Sequence, residues 1–205
     1  MPGAAVALVL VADEPAARGA ARELFPEAEH QLLTRQDLRP AAPFRGRLFT
    51  ILGALTAGSC VGLVAPVVWR GPAACGGPAA PLERSALKLP PRTLLAVADH
   101  LNLELRGPLT GRWPAGLPRG FPPLTGIYQP ADVRARGGAR VYSRGVVVAG
   151  VTDAGRLTPF EAGALREAGV FVVSDSLVPS AIVAAYYGLT LAACGVPPAD
   201  ANHEE

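Results

Sequence analysis

Three short stretches of this sequence gather side chains able to touch a ligand. Ser174-Asp175-Ser176 follows the apolar run 170–173 and precedes Pro179. Thr152-Asp153-Ala154-Gly155-Arg156-Leu157 follows the long β-branched run 141–151, and Asp99-His100-Leu101-Asn102-Leu103 follows the run 93–98. Hydroxyls, carboxylates and an imidazole delivered where apolar strands end can hydrogen-bond a small polar molecule, because ligands of α/β sheets bind beyond the carboxyl ends of the strands. Each residue also has a structural reading. Ser176 can cap the helix that Pro179 helps to start, Asp175 can be solvated, and Asp153 before Ala-Gly forms an ordinary turn. His100, inside an apolar strand end, reads as a structural histidine. Cys60, Cys75 and Cys194 are odd in number and far apart, with no C-x-x-C pair, so neither a disulfide framework nor a metal site is expected.

The elements that must position these residues follow from the hydrophobic pattern. The 205 residues, 50% apolar and 18% charged, describe one domain with a sizeable core. A net charge of +2 with scattered Lys and Arg is not that of a nucleic-acid binder. Residues 4–12 are apolar but lack a preceding cation and run into Asp13 and Glu14, so no signal peptide or membrane span is expected, and a reducing cytoplasm fits the cysteines. Residues 6–11 read as a buried strand, followed by Pro15 and a helix to Leu24. Residues 47–57 read as a helix ending at Gly58, and 60–68 as a strand. Residues 71–82 collapse to Gly, Pro and Ala and read as an irregular surface loop. Thr158-Pro159-Phe160-Glu161 is a capping box that starts a helix to Ala168, and Pro179 opens a second, Ala-rich helix that stops at Gly188 and carries Tyr186 and Tyr187 as packing residues. The rhythm predicts an α/β fold with a mixed, open or barrel-like central sheet flanked by helices, in a single domain over 1–205.

Asp99-His100-Leu101-Asn102-Leu103 with Gly107-Pro108-Leu109 is similar to the DHINL…NPL segment of trimeric purine nucleoside phosphorylases. Five further stretches follow in that family's order. Phe121 to Tyr128 resembles FPxMSDAY; Gly150 to Glu161 resembles GVPGPSFETPAE at equal length; Gly169 to Pro179 resembles GADAVGMSTVP; Gly188-Leu189 resembles the end of RHCGL; and Asn202-His203-Glu204-Glu205 resembles NHEE. The chain is thus identified as resembling the trimeric purine nucleoside phosphorylase family over residues 90–205, and more weakly over 6–11 and 47–68.

The resemblance implies a partly barrel-like sheet, a homotrimer, a nucleoside-like ligand and phosphate as co-substrate if the protein is active, with no other cofactor. It implies a pentosyltransferase site in which phosphate lies under the anomeric carbon and a donor neutralises charge on the departing purine. Ser176 matches a phosphate serine, His203 a 5′-hydroxyl contact, and Phe121 a residue lent across the trimer interface to cover the sugar. Asp175 stands where the family has a ribose-contacting Met, and could bind ribose hydroxyls. The family's purine-gripping Glu aligns with Leu157 and its stacking aromatic with Arg156, while Ala65 and residues 196–199 align with asparagines. In place of the phosphate-cradling GSGLG turn stands Val11-Ala12-Asp13-Glu14-Pro15, and the GRxHxYEG segment has no counterpart. Ser176, His203, Phe121, Asp175, Asp153 and Arg156 are therefore the expected ligand-binding residues, with Asp153 and Arg156 able to supply a new base contact; no catalytic residue is assigned. The expected function is a divergent protein with little or no phosphorolytic activity that binds a nucleoside. The alternative is an active phosphorylase, or a nucleosidase transferring the pentose to water.

Overall fold

The computed structural model describes residues 5–38, 46–69, 90, 93–104, 107–110, 120–134, 139–153, 157–170 and 172–198. The Gly/Pro/Ala-rich segment 71–82 and the candidates Arg156 and His203 lie outside them.

Among the described residues the chain runs β1 (Val6–Ala12), α1 (Pro15–Leu24), β2 (His30–Leu33), α2 (Arg35–Leu38), α3 (Arg47–Gly53), β3 (Cys60–Pro66), β4 (Val68–Trp69), β5 (Leu94–Asn102), α4 (Pro130–Arg134), β6 (Val141–Gly150), α5 (Pro159–Glu167), β7 (Val172–Ser174), α6 (Leu177–Tyr186) and β8 (Thr190–Val196). The strands form one mixed sheet in the order β2-β1-β3-β8-β5-β6-β7-β4. Neighbours are parallel except at β8/β5 and β7/β4.

This order explains the barrel-like shape. β4 is separated from β3 by Val67 alone, yet it pairs with β7, four strands away across the sheet. A sheet whose third strand continues directly into its last must curl until the carboxyl ends of β3 and β7 meet. The Ser174 hydroxyl, at the end of β7, accordingly donates to the Pro66 carbonyl at the end of β3, 3.1 Å away.

β1, β3 and β8 are buried over most of their length, as strands covered on both faces are. α1 starts with Pro15 at its first turn and buries Ala17, Ala20, Ala21 and Leu24, the one stripe that a 3.6-residue period places together. α6 is different: Leu177 to Ala184 are all buried, which suits its uniformly apolar sequence. It closes in a Schellman arrangement, with Gly188 at φ 70° donating to Ala185 O and Leu189 donating to Ala184 O. Gly150, at the end of β6, permits the close approach of this helix, since a Cβ there would lie 2.6 Å from Val178 Cβ.

Several elements depart from the sequence-based expectation. The helix expected over 47–57 ends at Gly53, and the strand expected to end near Ala98 continues to Asn102, because Asp99, His100, Leu101 and Asn102 go on pairing with Val147 to Gly150 of β6. Asp99 is thus a mid-strand residue and not a strand-end one. α6 begins at Leu177, before Pro179, and β8, central in the sheet, was not expected at all.

Candidate functional site

The meeting of the β1, β3 and β7 carboxyl ends leaves a cavity of about 170 Å³. The turn after β1 contributes Ala12, Asp13 and Glu14; the segment after β2 contributes Thr34 and Leu38; β3 ends in it with Pro66; and Ser176 enters from the start of α6. Thr34, Leu38 and Pro66 were not singled out from sequence. The only local signal was Thr34 three residues before Asp37, which here exchange hydrogen bonds and fix the start of α2: Asp37 N donates to Thr34 Oγ1 at 3.2 Å, and Thr34 N to Asp37 Oδ2 at 3.0 Å.

A turn between a strand and a helix can cradle an anion when its amide N–H groups point outward unpaired. The β1–α1 turn does not offer this. Asp13 N donates to Leu33 O at 2.8 Å and Glu14 N to Ala12 O at 2.7 Å, and Pro15 has no N–H. Its side chains are carboxylates, Asp13 being ion-paired with Arg18.

The start of α6 has its first two amides taken as well. Ser176 is its N-cap residue, but its side chain makes no capping bond, which corrects the capping reading of its hydroxyl. Ser174 Oγ takes that part, accepting from Ser176 N at 3.3 Å and Leu177 N at 3.2 Å while donating to Pro66 O. Among the described residues the Ser176 hydroxyl has one long contact, 3.4 Å to Ser174 Oγ, although the residue is only 1% exposed. Ser180 Oγ reaches both Ser176 O and Leu38 O at 3.0 Å, fastening α6 to α2 behind the cavity.

Of the other expected residues, Asp175 is buried beside Ser176, and Asp153 is exposed at the mouth of the same sheet end, two residues after Val151, whose N–H donates to Ser174 O at 3.0 Å. Thr152 and Asp153 thus stand near Ser174-Asp175-Ser176 but do not line the cavity. Phe121 is 76% exposed. Leu157 packs against the small apolar cluster of Ala149, Val151, Leu165, Val170 and Val173, so it serves the support of β6 and β7 and presents no hydrogen-bonding group.

His100 is paired with Tyr128. Its Nδ1 lies 2.9 Å from the Tyr128 hydroxyl, with the rings edge to face. Burial lowers the imidazole pKa below its ordinary value, with the Asp99 carboxylate opposing, and burial raises that of Tyr128. Cys194 is pushed up to about 12 by burial, and Cys60, also raised by burial, contacts Asp132, so burial disfavours the thiolate at both. Among the described residues no group of His, Cys, Asp and Glu could hold a metal ion, and no helix is long and apolar enough to cross a membrane.

No protein-family model and no curated protein matches the chain. Solved structures do. A purine nucleoside phosphorylase from Schistosoma mansoni, complexed with a monocyclic inhibitor, is 15% identical with a TM-score of 0.60, over 96% of this chain and 84% of that one. Isoform 2 of that enzyme, in complex with cytosine and ribose-1-phosphate, is 14% identical with a TM-score of 0.57, over 95% and 77%. A double mutant of the adenosine/methylthioadenosine phosphorylase from the same organism is 11% identical with a TM-score of 0.56, over 98% and 82%. Against other Schistosoma purine nucleoside phosphorylase structures the match spans about half of their length, 48%. At such identities the likeness is one of architecture: this chain has the nucleoside phosphorylase fold.

Proposed function

We propose that this chain is a nucleoside phosphorylase-like protein with little or no phosphorolytic activity, which binds a nucleoside-like small molecule at the carboxyl ends of β1, β3 and β7. The observation that carries the reading is the β1–α1 turn, where the Asp13 and Glu14 amides are consumed by backbone carbonyls, the next residue is Pro15, and the side chains are carboxylates. Phosphate docked there would meet negative charge without donors. Loss of one preorganised donor to developing charge forfeits about 2.7–4 kcal/mol. The purine end is poorer as well, since Leu157 is packing material and the position matched to an N7 donor falls near the apolar end of β8.

Ser176, Asp175, Asp153 and Phe121, with His203 and Arg156, are the proposed contacts to the ligand. If the protein is active, it is a pentosyltransferase with phosphate as co-substrate. A second reading, a nucleosidase, is favoured by Asp13 and Glu14 lining the cavity beside Ser176, because carboxylates that repel phosphate tolerate water as acceptor of the pentose. We further propose a cytoplasmic homotrimer in which exposed Phe121 faces a neighbour's cleft; sedimentation as a stable monomer at micromolar concentration would contradict it. Calorimetric titration with inosine tests the central reading: saturable binding that is independent of added phosphate is expected, and no binding would remove it.

A further inference from the structure

Ser174 stands where the similar GADAVGMSTVP segment has glycine, and its hydroxyl is the centre of the α6 start. A hydroxyl has one proton and two lone pairs. Here the proton goes to Pro66 O, and the lone pairs receive the Ser176 and Leu177 amides at 3.3 and 3.2 Å. These are two of the three amides that the start of this ten-residue helix would turn toward an anion, the third being that of Val178, and Pro179 further on has no N–H to add. The Ser176 hydroxyl, almost wholly buried, lines the cavity with only its 3.4 Å contact to the already saturated Ser174 oxygen.

Resting on the reading that the cavity no longer takes phosphate, we infer that Ser174 is the specificity-determining residue that excludes oxyanions: its Oγ occupies the position of an anion oxygen and satisfies the two leading amides that would otherwise help to hold one. The barrier is then neutral and short-ranged, distinct from the charge of Glu14. Closure of the sheet makes it possible, because only the approach of the β3 end to the β7 end gives the Ser174 proton an acceptor and turns its lone pairs toward the amides.

The test uses the full chain and inorganic phosphate, titrated at constant ionic strength and followed by calorimetry and ³¹P line broadening. Three proteins are compared: the native chain, Glu14→Gln, and Glu14→Gln with Ser174→Ala. The native chain is expected to show no saturable binding, Glu14→Gln at most weak binding, and the double variant to bind about ten- to a hundred-fold more tightly than Glu14→Gln, as expected for hydrogen bonds to a charged group. Equal affinity of the two variants, or a cooperatively folded double variant that does not bind, overturns the inference; so does saturable binding by the native chain. If Ser174→Ala does not fold, Ser174→Gly in the same background is the second variant. Failure of inosine to bind, or phosphorolysis by the native chain, would overturn the proposed function while leaving the comparison of the two variants readable.

Discussion

Two helices begin within twenty residues of each other, and they begin by opposite means. α5 starts in solvent with Thr158 and Glu161 serving each other: Glu161 N donates to Thr158 Oγ1 at 3.3 Å, and Thr158 N to Glu161 Oε2 at 2.8 Å. α6 starts in the core, its N-cap side chain idle, its first amides held by Ser174 and that hydroxyl held in turn by Pro66, 108 residues earlier in the chain. A locally closed start can sit anywhere. A start closed by tertiary contact can exist only where the sheet curls, and in this fold that is the edge of the cavity.

Matched substitutions at the two starts should separate them, the largest effect coming from burial. Leu177→Ala empties a fully buried site and should cost about 2–5 kcal/mol, whereas Phe160→Ala, at a residue 85% exposed, should stay within about 0.5 kcal/mol; denaturant midpoints at constant m-value check both. Equal costs would break the comparison.

The glycines should differ in sign. Gly150→Ala pushes a methyl into Val178 against α6 and should destabilise by about 1–3 kcal/mol, while Gly163→Ala, inside α5 with nothing within 4 Å of the added carbon, should stabilise by about 0.5–1 kcal/mol. Thermal unfolding of the two variants beside the native chain reads the opposite shifts.

The smallest effect is that of the cap. Thr158→Ala should cost about 1 kcal/mol. The reciprocal half of the box is pH-dependent: the backbone and side-chain bonds from Thr158 lower the Glu161 pKa below its ordinary 4.5, so the stabilisation from the Glu161 carboxylate is complete above that value and is lost as pH falls through the lowered one. Acid titration of native and Glu161→Gln proteins should therefore converge in stability at low pH.

The same contrast marks what was legible in the sequence. α1 and α5 could be read from Pro15 and from Thr158-Pro-Phe-Glu because their starts are local. β8 could not, since Thr190 to Val196 mixes Ala, Cys and Gly with little β-branching; it is a strand because seven consecutive residues pair with β3. Asn102 belongs to β5 because β6 runs alongside it, despite its polar side chain. Ser176 was found in the sequence by its motif, and the structure puts it on the cavity. Ser174 stands where the similar segment has glycine, but its part in the α6 start was not legible, because that depends on Pro66.

The central claim, a nucleoside phosphorylase fold without working phosphorolysis, is tested most directly by release of hypoxanthine from inosine by purified protein freed of host enzymes, with and without phosphate. The account predicts negligible phosphate-dependent release even at inosine concentrations that saturate binding. Phosphate-dependent turnover near that of an ordinary enzyme, about one per second or more, would contradict it.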